Sequence, residues 1–270
     1  MGQSHTLYRN QSKSKPFPDL SQLPAELAVQ VLSHLDATDL CLASCVNEIW
    51  QQLADDNVLW LDLCKRRWGF TRQYDKPLST HFKNYKQLYL SLDTATLSCR
   101  TDMREGIVYL VDQEVLWDCI DDIALFILNT SSLSFSSLRR YLKEQPLLLD
   151  TIIKNLDFQG VFLPDAIRTF FLHIPPPNSL TQQADELISQ FCEHFILCNS
   201  DTTFSKDELC YLCYSLFLLS VDLNSPQVKN KMSKREFIRN TRRGHDLPTE
   251  YLGYLYDNIY LHGHLAPRLI

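Results

Sequence analysis

From Leu23 onward apolar residues recur at helical intervals, with Leu23, Leu27, Val31, Leu32 and Leu35 forming one stripe, so the pattern predicts a helix here. Asp36-Ala37-Thr38-Asp39 then supplies a turn with N-cap residues. A second helical run carries Leu40, Leu42, Ala43, Val46, Ile49, Trp50 and Leu53, and a third, shorter group holds Val58, Leu59, Trp60, Leu63 and Trp68. None of these helices is long enough to bury a core alone, so three must pack together. A bundle of about 50 residues is marginal, and it leaves an apolar face for a partner to cover.

Pro77, Tyr85, Tyr89 and Leu90 lie in a mixed helix-and-linker pattern from 71 to 100. Beyond it the periodicity predicts helices over 104–111, 119–129, 134–144, 146–157, 163–173, 181–197, 205–220, 233–241 and 248–261. Ser205-Lys206-Asp207-Glu208 reads as a capping box, and Pro164 and Pro248 stand near helix starts, where proline is tolerated. No alternating strand run or Asn-Gly hairpin interrupts this half. The expected architecture is all-α.

Composition closes several routes to catalysis. The seven glycines are never closer than nine positions apart, so no phosphate-cradling glycine loop or nucleophile elbow can be built. HExxH is absent. Nine cysteines, an odd number, with no signal-peptide core predict a reducing compartment, and Cys210-x-x-Cys213 lacks a second pair, so both thiols are expected to pack as small hydrophobes without metal. No apolar run is long enough to cross a bilayer, which predicts a soluble cytoplasmic protein.

Charge is uneven. Within a net of −6, the segment 229–243 holds Lys229, Lys231, Lys234, Arg235, Arg239, Arg242 and Arg243 against Glu236 alone. Such a patch is either a solvated helix face or a site for acidic lipid or protein. Nucleic acid is not expected, because no stacking aromatics or nucleic-acid motif accompany it. Met1-Gly2-Gln3-Ser4-His5-Thr6 fits the myristoylation pattern at Gly2, with Arg9, Lys13 and Lys15 behind it, which predicts weak peripheral membrane association.

Residues 20–68 resemble an F-box through Leu23-Pro24-x-Glu26-Leu27, Val31-Leu32-Ser33, Leu35-Asp36, Asp39-Leu40, Val46, Trp50, Leu53-Ala54-x-Asp56 and Leu59-Trp60. The resemblance implies docking to the Skp-type adaptor and cullin of an SCF ubiquitin ligase, with Leu23, Pro24, Leu27, Val31, Leu32, Leu35, Leu40, Val46, Trp50 and Trp60 as the adaptor-binding residues. The second half resembles a Sec-seven domain, the helical module that exchanges nucleotide on Arf-family GTPases, at FCEHFILCN (191–199), YLCYSLFLLSVDLNSPQV (211–228) and DLPTEYLGYLYDNI (246–259). Groove residues carried over are Leu180, Phe195, Tyr211, Ser215, Leu219, Ser220, Leu223, Asn224, Pro226 and Val228. Together these give an N-terminal flexible tail (1–18), a three-helix F-box (19–70), a helical linker (71–100) and a Sec-seven-like domain (101–270).

The family reaction rests on a glutamate in a loop of the pattern FRLPGEAQ, whose negative charge competes with the β-phosphate of the bound nucleotide. That glutamate is expected about 18 residues before the Cys-Asn anchor, which lands on Leu180. Phe162-Leu163-Pro164-Asp165 offers a superficial match, but Asp165 lies 33 residues before Cys198 and fits the preceding helix. Asp185 and Glu186 fall inside the next helix. Leu219-Ser220 and Ser225-Pro226-Gln227-Val228 depart from the family pattern as well. The sequence therefore predicts a substrate receptor that needs no cofactor and binds an Arf-family GTPase without a catalytic residue of its own. The alternative is an exchange factor with a divergent loop.

Overall fold

Side-chain caps set the boundaries of the first helices. In a computed structural model describing residues 20–74, 78–176, 182–243 and 247–266, a short 3-10 turn leads into α1 (Ala25–Leu32). Asp36 caps α2 (Ala37–Ala43) by accepting from Asp39 N at 2.8 Å. Asn47 caps α3 (Glu48–Ala54) through Trp50 N at 2.9 Å, and Asp56 caps α4 (Asn57–Arg67) through Val58 N at 2.8 Å. The stretch expected as a single second helix is thus two, because Asn47 takes extended backbone and its carboxamide starts a new helix. Leu32, Leu40, Leu59 and Trp60 fill a small core there, and Trp60 Nε1 donates to Ala54 O at 2.7 Å.

The next helix, α5 (Tyr85–Thr101), lies against both halves. Its Tyr85 and Tyr89 pack on the small core and on the large one, and the Tyr89 ring meets Trp60 and Trp68 edge-on at 5.3 and 5.1 Å. Asn57 Oδ1 accepts from Tyr85 N at 3.0 Å, Trp68 Nε1 donates to Thr96 Oγ1 at 2.8 Å, and Arg67 pairs with Asp93 at 2.6 Å. Leu88, Leu92, Ala95 and Cys99, all within the stretch expected as linker, are fully buried. Residues 69–73 are laid along the second half as well. Gly69 N donates to Asn129 O at 2.8 Å, Gln73 Nε2 donates to Glu114 O at 2.6 Å, and the Arg72 side chain reaches Asp122.

Among the described residues nine further helices follow: α6 (Met103–Asp112), α7 (Ile120–Leu128), α8 (Phe135–Glu144), α9 (Pro146–Lys154), α10 (Leu163–His173), α11 (Gln182–Cys198), α12 (Lys206–Asn224), α13 (Lys234–Thr241) and α14 (Thr249–His262). No strand occurs among the described residues, so the fold is all-α. The periodicity placed each of the nine. However, α9 stops earlier than expected at an Asn155 cap, and α12 runs on to Asn224 because Pro226 is the first residue that cannot continue it. Ser205 and Glu208 form the expected capping box, and Ser233 with Glu236 repeats the device on α13.

Helices α5 and α6 form the tightest pair, and Gly106 makes their approach possible. A Cβ at this position would stand 2.1 Å from Cys99 Sγ and 2.8 Å from Ala95 O, a backbone atom that cannot swing away. Gly106→Ala gains about 1 kcal/mol of helix propensity but loses more to overpacking, of the order of 2–3 kcal/mol. Urea unfolding should show a net loss of stability; a stabilised variant would mean that the helices separate without cost.

Candidate functional site

Two surfaces carry the residues singled out in the sequence. The first is on the small helical bundle. Leu23, Pro24, Leu27 and Val31 are exposed, with Leu27 and Val31 at 49% and 50%, and one helical turn apart on α1 they form a continuous stripe. Val46 is exposed beyond α2. Leu35 and Trp50 are half-buried against the small core. Leu32, Leu40 and Trp60 are interior, each no more than 2% exposed, so they can hold the face in shape but cannot form it. That corrects the motif-derived list, because a family motif mixes residues kept for packing with residues kept for docking. Leu42, Ile49 and Val58 are exposed too and were not on the list; continuing the helical period along α2 and α3 would have found Leu42 and Ile49.

The second surface is built on α11 and α12. Phe195 lies inside an aromatic cluster with Phe158 and Phe191, centroids 6.4 and 5.8 Å away. Leu219 and Ser220 are buried, and Ser220 Oγ accepts from Leu265 N at 3.1 Å, tying the chain after α14 to α12. These three residues support the surface from within, which corrects their assignment as groove contacts. Tyr211 and Ser215 are half-buried, and Ser215 Oγ turns back to Tyr211 O at 2.9 Å. Leu223, Asn224 and Val228 are half-buried and Pro226 is exposed. The outward strip of α12 runs Tyr211, Ser215, Leu218, Val221, with Leu218 and Val221 exposed. Leu218 follows Tyr211 by seven positions and Ser215 by three, and Val221 follows Leu218 by three, so these two continue the outward strip.

Polar contacts shape both ends of this surface. Asn199 donates to Phe158 O at 2.9 Å and to Phe195 O at 3.0 Å, and its Oδ1 accepts from Gly160 N at 2.8 Å. Gly160 has φ +67°, which glycine adopts without strain. After α12, Lys231 Nζ donates to Asp222 O at 2.7 Å and to Ser225 O, and Asp222 Oδ2 accepts from Met232 N at 2.6 Å. The loop carrying Pro226 and Val228 is thereby pinned.

The acids nearest the expected finger are engaged in the fold. Asp165 opens α10 and accepts from Arg168 Nη1 at 2.8 Å, while Arg168 also holds Asn258 on α14. Asp185 accepts from the Tyr214 hydroxyl, and burial with this bond pushes the phenol above its ordinary pKa. Leu180 and Gly2 lie outside the described residues. The sequence between Pro175 and Ala184 contains no carboxylate.

Cys213 is buried with its sulfur 3.8 Å from that of Cys192, and burial raises the Cys210 thiol to about 12. Desolvation disfavours thiolate and metal ligation alike. Among the described residues no three His, Cys, Asp or Glu side chains are grouped to hold a metal ion, and no helix is long and apolar enough to cross a membrane.

Comparison with known proteins extends this description. The Sec7 domain family matches residues 90–262, and the F-box-like family matches 20–66. F-box only protein 8 of Mus musculus is 45% identical over 268 residues, which is 97% of this chain and 83% of that protein. Brefeldin A-inhibited guanine nucleotide-exchange protein 1 of Arabidopsis thaliana is 33% identical over 162 residues, 57% of this chain and 10% of that protein. The crystal structure of the Sec7p catalytic domain superposes with a TM-score of 0.58 at 28% identity, covering 63% of this chain and 94% of that one. A structure of ARF1-GDP bound to a Sec7 domain complexed with brefeldin A gives 0.58 at 24% identity, covering 66% and 94%, a likeness of fold.

Proposed function

As the chain belongs to the family of F-box only protein 8, which joins an F-box-like domain to a Sec7 domain, we propose that it is the substrate-recognition subunit of an SCF-type ubiquitin ligase. In this reading the α1 stripe docks a Skp-type adaptor and hence a cullin, and the outward strip of α12 holds an Arf-family GTPase or a related trafficking protein. The observation that carries it is the uncovered apolar face on a bundle whose core holds only eight buried apolar side chains. A small core beside exposed Leu23, Leu27, Val31 and Val46 is what a docking module requires.

The α12 strip binds without driving exchange, because nucleotide release needs a negative charge where the phosphate and its metal sit. Leu180 offers none, and Asp165 and Asp185 are each engaged by a neighbouring side chain, Arg168 and Tyr214 respectively. The expected outcome is release of labelled GDP from an Arf-family GTPase at the spontaneous rate with the wild-type chain. Leu180→Glu should raise the rate at least about tenfold, since 1.4 kcal/mol suffices. Rapid release by the wild type would instead establish an exchange factor with a divergent loop.

A further inference from the structure

The seven basic residues between Lys229 and Arg243 do not form a single surface. Lys231 is taken up in pinning the loop after α12, and Lys234 pairs with Asp257 at 2.6 Å. Lys229 is exposed outside the cavity lining, whereas Arg235, Arg239, Arg242 and Arg243, with Ile238 and Thr249, line an open cavity of about 530 Å³ beside α13. Arg235 and Arg239 stand one turn apart on α13, and Arg242 and Arg243 follow in the turn that ends it.

Among the described residues none of the four arginines of this cavity forms an ion pair. Glu236, the one acid on α13, is turned into the capping box, where its carboxylate accepts from Ser233 Oγ at 2.6 Å and from Ser233 N at 2.9 Å. Among the described residues no carboxylate lines the cavity, and none lies within ion-pair distance of the four guanidinium groups. Arg242 Nη1 donates to Thr249 Oγ1 at 3.0 Å. The scaffold beneath is firm: Phe237 and Thr241 are buried, and the Tyr256 hydroxyl donates to Met232 O at 2.9 Å. Like charges held this close repel, and an anion between them would remove that cost.

Guanidinium groups are planar forks that pair two donors with two phosphate oxygens. Four of them around one concavity exceed the needs of a single phosphate. Among the described lining residues Ile238 alone is apolar, so little there would hold the side chains of an acidic peptide. We propose that this cavity is a binding site for a ligand bearing clustered phosphate groups, from a phosphorylated lipid headgroup or a soluble polyphosphate. The site adjoins the α12 surface through the Tyr211 hydroxyl, which donates to Asn240 O at 3.4 Å. A ligand bound here would therefore orient that surface.

The test is equilibrium binding of the full chain to four probes. These are phosphatidylcholine vesicles doped with a phosphatidylinositol bisphosphate, vesicles doped to equal charge with phosphatidylserine, soluble inositol hexakisphosphate, and polyglutamate. Binding to at least one of the two polyphosphate probes is expected, and which one identifies the source. Arg239→Ala with Arg242→Ala should weaken it at least about tenfold, while the exposed control Lys83→Ala with Arg100→Ala changes it less than about twofold. Arg239→Lys with Arg242→Lys keeps the charge and loses the fork, so it should weaken binding too, and it separates recognition from misfolding. The proposal is overturned if neither polyphosphate binds, if the control pair loses as much as the arginine pair, or if phosphatidylserine or polyglutamate binds equally well.

Discussion

Leu27→Glu combined with Val31→Glu should eliminate capture of the proposed Skp-type adaptor while leaving the fold intact. Both side chains stand half-exposed on one stripe of α1, so glutamate there has little native packing to disturb. In the docked state the same positions lose their water. The substitutions then forfeit the apolar burial and place carboxylates in an apolar interface, roughly 2 kcal/mol or more at each site. Together this is about a thousandfold in affinity. The measurement is titration of purified adaptor against wild type and variant, with thermal unfolding as the check on folding. Leu261→Glu, on an exposed position of α14, serves as the control and should bind as wild type does. Leu32→Ala and Leu40→Ala separate support from contact. Each leaves a cavity in the small core and costs about 3 kcal/mol of stability, so capture falls only as far as the bundle unfolds. Undiminished capture by the glutamate pair would place the adaptor elsewhere.

The second large effect concerns how the two halves are joined. Asp122, in the first turn of α7, is fully buried, and its carboxylate accepts from Arg72 Nε at 2.7 Å, from Arg72 Nη2 and from Trp117 N at 3.1 Å. The Arg72 guanidinium also lies over the Trp117 ring at 4.3 Å. Asp122→Ala removes the carboxylate that accepts two hydrogen bonds from the guanidinium and one from the Trp117 amide, at a cost of about 3 kcal/mol. Partial exposure of Arg72 keeps the figure at the low end of the range for buried pairs. The Arg72 hydrogen bonds hold the Asp122 carboxyl below the usual carboxylate range, against the opposing effect of burial. A depressed folded pKa means that this stabilisation is complete above the unfolded value, near 4, and is lost as pH falls through the folded one. Chemical denaturation should therefore show a gap between wild type and Asp122→Ala that is full at neutral pH and narrows on acidification below about 4. A gap independent of pH would mean that the charge on Asp122 contributes nothing.

Much of this architecture is written in local sequence. The apolar period placed the helices of the second half, and the Ser205–Glu208 box needed only four residues to be recognised. What local patterns cannot express is the partner on the other side. Leu218 and Leu219 are neighbours of identical chemistry, yet one is exposed and the other wholly buried because α12 packs on α11 and α14 along one face only. The same holds for Val31 and Leu32. Motif resemblance named the right segments but took the core and the docking face together. Charge counting found the basic segment, whereas Asp257, which removes Lys234 from it, lies 23 residues away. The Arg72–Asp122 pair spans 50 positions and leaves no trace in either segment alone.

In the proposed function the chain is a bridge that holds an adaptor and a GTPase at once without opening the nucleotide site. Its most direct test mixes purified chain, Skp-type adaptor and an Arf-family GTPase loaded with labelled GDP, and reads mass and label together by light scattering on a sizing column. One complex containing all three proteins, with the GDP still bound, is the predicted result. A complex lacking either partner, or one that elutes with the label lost, would contradict it.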